Sequence, residues 1–357
     1  MPSLLLIPSG IGCSIGGYAG DAIPTARLLA AACGSLITHP NVINGAALYW
    51  NDERIQYVEG FGIDRFACGE FLLRPVRRQK VGLLLDAGLE SELRQRHLQA
   101  VDGCRATLGL SIGPVVTTDV PLGISLQRGA SGASWGTLDN PDSLLRAGDI
   151  LKERGATAIA VVTRFPDDVN TAELDRYRKG QGVDLMAGAE AVVSHLLTRH
   201  LLLPCAHAPA LSALSLSSDL NPLVAAEEMA HTFLPCVLVG LSRAPDLIPL
   251  NALDKISHRL LLDCISSDQL GAVIATEGAL GGEAVLGCLE RGTPLIIVSN
   301  PGVLNVDSES LGLKDRLSSN QNLVLKASNY FEAAAFLLAL REGIEITSLK
   351  RPIERTG

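Results

Sequence analysis

The sequence predicts an α/β protein with mostly parallel sheets, helices on both faces of each sheet, and two lobes. Two observations carry this. Short β-rich runs alternate with helix-patterned segments from one end of the chain to the other, which is the signature of wound α/β folds. The runs are apolar without interruption, as in parallel strands buried on both faces. Composition agrees: 47% of the 357 residues are hydrophobic and only 4% aromatic, with Gly, Ala and Leu suited to close packing of helices on a sheet.

Strands are predicted at 3–7, 81–86, 114–118, 158–163, 236–240, 271–276, 294–299 and 323–326, with a further one near "SLITHP". Helices are predicted near 22–33, 89–106, 142–154, 187–202, 223–232, 254–267, 282–291 and 330–342. Asp21 is placed to cap the first helix and Gly34 to end it. Asn140 or Asp142 opens a helix that Gly155 closes. The Gly/Ser-rich stretch 125–141 interrupts the alternation, as a linker or a functional loop. It suggests an N-terminal lobe over 1–140 and a C-terminal lobe over 141–357.

Lys and Arg total 30 against 38 Asp and Glu, a formal charge of −8. An acidic chain poor in aromatic residues is a weak partner for nucleic acid or for an anionic membrane. The run "RPVRRQK" has cations but no interleaved aromatics, and reads as a solvated stretch. The eight cysteines form no C-x-x-C pair, so neither a zinc ribbon nor a thioredoxin-like motif is present. Cysteines in apolar company behave as reduced core residues. With no basic leader and no long apolar span, the expectation is a cytoplasmic protein.

The opening run "IPSGIGCSIGGYAGDA" places glycines after a strand and before a helix. Backbone N–H groups of Gly10, Gly12, Gly16 and Gly17 are therefore candidates to cradle an anion. Ile15 stands where a dinucleotide fingerprint needs its third glycine, and His39 where an acidic ribose ligand would stand. A nicotinamide cofactor is accordingly not expected. A second strand–turn–helix–strand unit at 271–302 adds Gly281 and Gly282, with Glu277 beside them.

At strand ends, Arg164 in "VVTRFPDD" and Arg243 in "VGLSRAP" could clamp a carboxylate or phosphate. Asp167, Asp168 and Glu277 are the matching acid–base candidates. Cys205 and His207 in "LPCAHAPAL", with Glu227 and His231 at i and i+4 on a helix, offer a donor set for a divalent metal. His195 and His200 lie five apart on a helix and read as structural. "EGFGIDRFACGE", with Glu59 and Asp64, has the character of an exposed functional loop.

The runs "IPSGIGCSIGGYAGDA", "ITHPNVINGA", "GASGASWGTLDNPDSLLRA", "RFPDD" and "PCAHAPAL" together resemble a conserved family of unknown function found in cyanobacteria and plant plastids. That resemblance covers nearly the whole chain. It implies a cytosolic or stromal protein of a photosynthetic lineage, and brings no reaction and no site residues with it.

The expected function is an enzyme of small-molecule metabolism, of transferase or hydrolase type, acting on an anionic or phosphorylated substrate. One alternative is a metal-dependent hydrolase using the Cys/His/Glu set. The other is a non-catalytic binding or assembly factor.

Overall fold

The computed structural model describes residues 1–10, 17–44, 52–128, 134–167, 171–214, 216–228, 232–255, 261–300, 304–313, 324–349 and 351–353. The chain opens with β1 (Pro2–Leu6), α1 (Ile23–Cys33), β2 (Ser35–Thr38), α2 (Pro40–Ile43) and β3 (Ile55–Tyr57). It continues through α3 (Gly60–Ala67), β4 (Phe71–Arg74), β5 (Val81–Leu85), α4 (Ser91–Leu108) and β6 (Ile112–Thr117). The hairpin β7 (Ile124–Arg128) and β8 (Ser134–Leu138) follows, then α5 (Pro141–Glu153), β9 (Ala158–Arg164) and α6 (Thr171–Arg178). Next come α7 (Ala187–Leu201), β10 (Cys205–Ala210), α8 (Pro222–Glu228), α9 (Leu234–Leu241) and β11 (Asp246–Pro249). The last elements are β12 (Ala272–Thr276), α10 (Glu283–Glu290), β13 (Leu295–Val298), β14 (Val324–Ala327) and α11 (Tyr330–Arg341).

Two parallel sheets organise the molecule. The larger has the order β3-β2-β1-β12-β13-β14, and every neighbouring pair is parallel. This is a doubly wound order whose direction reverses between β1 and β12, the place where such folds open a crevice at the strand ends. The smaller sheet, β10-β9-β5-β6, is also parallel throughout. Each sheet buries both faces. In the first, Leu5, Leu36 and Ile274 pack against α1 and α11, while Leu4, Ile37 and Val273 meet the α3 and α10 side. In the second, Leu83, Leu85 and Val162 pack with α9, and Leu84, Ile159 and Val161 with α5 and α7.

The α/β class and the parallel pairing thus agree with the sequence. Several elements do not. "CVLVG" belongs to α9, entered through Pro235 in its first turn, and not to a strand. A short apolar run with no polar alternation has no period to distinguish a buried helix from a strand. The stretch 125–141 contributes β7 and β8, so it is structured as a hairpin. Asp21 is not the cap of α1: the cap position is Ala22, with no side-chain cap bond. A division at 140 runs through the smaller sheet, with β5 and β6 before it and β9 and β10 after it, while the larger sheet draws on both chain ends.

The placement of α7 rests on two glycines. A Cβ on Gly188 would lie 2.6 Å from Trp135 Cα, and one on Gly136 would lie 3.1 Å from Ala189 Cα on α7. The bare backbones let the first turn of α7 lie directly on the hairpin, where Gly188 N–H donates to Ser134 Oγ at 3.2 Å. Gly188→Val forces these elements apart. It is expected to lower unfolding stability by about 2–3 kcal/mol in denaturant titrations, whereas Gly103→Ala, with open space around it, is expected to be neutral or stabilising.

Candidate functional site

A cavity of about 350 Å³ lies beyond the carboxyl ends of β1 and β2 and beside the turn after β12. That is the crevice at which the larger sheet reverses direction. Ile7, Pro8 and Ser9 form its wall after β1, His39 after β2, and Ala279 and Gly282 after β12. The opposite side comes from α7 and β10, with Glu227 of α8. Two chain-distant halves therefore meet across one space.

The first feature is a carboxylate–imidazole pair. Glu59 precedes α3 as its N-cap and accepts the Phe61 N–H at 3.1 Å through Oε2. Its Oε1 lies 2.9 Å from His195 Nε2. The Glu59 side chain is 4% exposed and that of His195 44%. With the proton on Nε2 directed at Glu59, the Nδ1 edge of the ring is left without a hydrogen bond among the described residues. Gly60 makes room for this contact, since a Cβ there would sit 2.7 Å from His195 Nε2. Burial lowers the His195 pKa, but the Glu59 hydrogen bond and the charges of Glu59 and Asp64 more than offset it, so the net shift is upward.

The second feature is a three-residue relay. Ser194 Oγ lies 2.7 Å from His207 Nδ1, and His207 Nε2 lies 3.2 Å from Glu190 Oε2. Glu190 and Ser194 are four apart on α7 and face β10 together. A carboxylate only accepts, so the His207 proton belongs on Nε2, leaving Nδ1 as acceptor for the serine hydroxyl.

The third feature is an acidic wall. Asp184 accepts the Met186 N–H at 2.9 Å, and its own N–H donates to Gly10 O at 2.7 Å. Glu227 Oε2 accepts the Ala19 N–H at 3.1 Å and the Tyr177 hydroxyl at 3.0 Å. Burial, with the charge of Glu190 adding to it, pushes the Glu227 carboxyl up to about 7. Burial, followed by the charges of Glu227 and Glu190, also raises Asp184 well above the carboxylate range. His39 is held down at about 4 by burial, and its neutral Nε2 accepts the Ile7 N–H at 3.3 Å. No Lys or Arg lines this cavity among the described residues.

The two described glycines of the opening run, Gly10 and Gly17, are committed elsewhere. Gly10 N–H donates to Gly17 O at 2.9 Å, and Gly17 N–H to Asp21 Oδ1 at 3.2 Å. Burial raises the Asp21 pKa to about 6. Neither described glycine offers its N–H to an anion; Gly12 and Gly16 lie outside the described residues. In the second unit, Gly282 lines the cavity, and Gly281 permits packing against Val306, which a Cβ would approach to 2.9 Å. Glu277 Oε1 accepts the Ser308 N–H and hydroxyl at 3.2 and 3.0 Å, so it fastens a loop.

The two arginines also have partners. Arg164 is held by Glu90 at 2.8 Å and by Asp167 at 2.9 Å. Arg164 in turn keeps the Asp167 carboxyl well below the usual range. Asp168 lies outside the described residues. Arg243 follows α9 rather than a strand and pairs with Glu53 at 2.9 Å. It borders a different groove, of about 490 Å³, that Arg27, Arg77, Asp52 and Glu53 share.

Of the proposed metal set, His207 and Glu227 reach the cavity. Cys205 is fully buried, donates to Leu203 O at 3.3 Å, and has its thiol pushed up by desolvation. His231 lies outside the described residues. Among the described residues no three His, Cys, Asp or Glu side chains converge to hold a metal ion. His195 is a cavity residue that spacing alone made look structural, because its partner Glu59 is remote in the chain. Asp184, Glu190 and Ser194 were not singled out by the sequence; the one signal was Glu190 and Ser194 sharing a face of an apolar helix.

The raised Glu227 carboxyl has a consequence for stability. Its folded pKa near 7 exceeds the ordinary 4.5, so its protonated form favours folding below about 4.5, and that contribution is lost as pH rises toward 7. Glu227→Gln retains an acceptor for Ala19 and Tyr177. It is expected to raise Tm by about 2–4 °C at pH 8, with little change at pH 4.5, in thermal melts of the two proteins.

Comparison with known proteins places the chain. Residues 2–350 match the family described as protein of unknown function (DUF3326). The chain is also 48% identical over 350 residues to a protein named an uncharacterized lipoprotein from Synechococcus sp. (strain ATCC 27144 / PCC 6301 / SAUG 1402/1), covering 98% of this chain and 93% of the relative. Among the described residues no helix is long and apolar enough to cross a membrane. Matched across nearly its full length and nearly half identical to a cyanobacterial relative, the chain belongs to the DUF3326 family.

Proposed function

We propose that the protein is an enzyme of small-molecule metabolism whose cleft performs acid–base chemistry, with His195 as the proton-transferring group. The observation that supports this is the 2.9 Å Glu59–His195 contact at the mouth of a 350 Å³ cavity. A buried carboxylate fixes the Nε2 proton and raises the basicity of the ring, while Nδ1 is left to accept a proton from a bound molecule. Asp184 and Glu227, with raised pKa values, are the proton donors of the same cavity.

The charge of the cleft bears on its substrate. A wall of carboxylates with no Lys or Arg among its described lining favours a neutral or cationic molecule over an anionic one. An anionic substrate fits better in the groove with Arg27, Arg77 and Arg243, which carries no comparable acid–base pair. We propose a cytosolic location, a reading supported by buried cysteines such as Cys33, Cys104, Cys205 and Cys288 that form no disulfide. Because the Synechococcus relative is named a lipoprotein, fractionation of cells carrying the tagged chain is the deciding measurement for location.

The test of activity incubates the protein with a cyanobacterial metabolite extract and follows consumed and formed species by mass spectrometry. The wild type is expected to convert at least one metabolite, and His195→Gln to reduce that rate by on the order of 100-fold or more. Glu59→Gln keeps the Phe61 hydrogen bond but removes the charge, so the His195 pKa falls. The rising limb of the pH–rate profile should then move to lower pH. Equal rates in wild type and His195→Gln would refute the assignment.

A further inference from the structure

We propose that Ser194 is a nucleophile, activated by His207 and Glu190, and that the cleft transfers the acyl group of a small ester, thioester or amide. The proposal rests on the reading of the cleft as an acid–base site and adds a covalent step to it. Its basis is the order of the contacts: a hydrogen bond joins the hydroxyl to Nδ1 at 2.7 Å, and Nε2 pairs with the carboxylate at 3.2 Å. A nucleophile bonded to a base that a third group orients is the arrangement that acyl transfer requires.

The alternative for a serine inside a helix is a hydroxyl bonded back to the carbonyl four residues earlier. Ser194 directs its hydroxyl to His207 on β10 instead. It is 3% exposed yet lines the cavity, so the hydroxyl is shielded from bulk water while facing the space a substrate would fill. His207 is likewise turned into the cavity, and Glu190 completes the same wall. His195, the next residue on α7, has its Nδ1 edge free and is the donor available to a developing oxyanion when it is protonated.

In the step, Ser194 Oγ forms a bond to the carbonyl carbon as its proton passes to His207 Nδ1, and the carbonyl π pair moves to oxygen. That pair returns to re-form C=O, the bond to the leaving alcohol, thiol or amine breaks, and the leaving group takes the proton from Nδ1. Water then adds to the acyl carbon, giving one proton to Nδ1. Collapse of this second adduct releases the acid and returns that proton to Ser194.

Diisopropyl fluorophosphate, a small phosphorus electrophile, tests this on the full chain. The Ser194 Oγ–P bond forms, the P–F bond breaks, and HF is released. Intact-mass and peptide mass spectrometry should show one adduct, on Ser194, and none in Ser194→Ala. His207→Gln should slow labelling by on the order of 100-fold, and Glu190→Gln by a smaller factor, with folding of both verified by circular dichroism. An unlabelled wild type, an adduct on another residue, or labelling undiminished in His207→Gln would each overturn the proposal. Loss of metabolite turnover in His195→Gln without any Ser194 adduct would leave the acid–base reading standing and remove the nucleophile alone.

Discussion

The cleft depends on how closely one helix can approach one hairpin. α7 packs an apolar face, including Val193, Leu197 and Leu201, onto the smaller sheet, yet carries Glu190, Ser194 and His195 to a cavity at the end of the larger one. It can serve both only because Gly188 and Gly136 let its first turn sit against the β7–β8 backbone. Side-chain volume at either position would displace α7 and with it every hydrogen bond that its polar face makes. Packing at the hairpin and chemistry in the cleft are thus one constraint.

The electrostatics follow from the same closure. Asp184 and Glu227 leave water when α8 and the segment before α7 cover the end of the larger sheet, and no guanidinium or ammonium accompanies them among the described lining residues. Desolvation and mutual repulsion then favour the protonated carboxyl. Asp21 shows the same effect beside the glycine loop, where it consumes the Gly17 N–H. Gly10 and Gly17, whose setting suggests an anion cradle, instead give their N–H groups to the protein's own carbonyl and carboxylate. This is the physical reason that glycine content alone misleads: it permits exposed N–H groups without stating what they bind.

Much of the fold was legible in the sequence because buried parallel strands leave an unbroken apolar run between turn signals, as at 81–86, 158–163 and 271–276. The run at 236–240 has the same look and is helical, since the distinction there is made by tertiary packing against β9 and β10. Of the site, His207 and Glu227 were visible as candidates, and Glu59 and Asp64 as part of a suspicious glycine-flanked segment. What stayed hidden was pairing. Glu59 finds His195, and Ser194 finds His207, through sheet order and helix placement that no local spacing encodes. Arg164 was the converse case: a strand-end arginine that looks like a ligand clamp is satisfied by Glu90 and Asp167.

The larger sheet is assembled from the two ends of the chain, and this imposes a schedule on biogenesis. β1 leaves the ribosome well before one of its two neighbours, β12, which begins only at Ala272. At about 5–20 residues per second, a nascent chain presents one side of β1 without its partner for on the order of ten seconds or more. The smaller sheet, contained between Val81 and Ala210, can be complete well before that. The emerging protein therefore passes through a stage with one finished sheet and one half-sheet with an open, apolar edge. Such an edge can pair with that of another nascent chain, so the translation interval between β1 and β12 is when this protein most needs a chaperone.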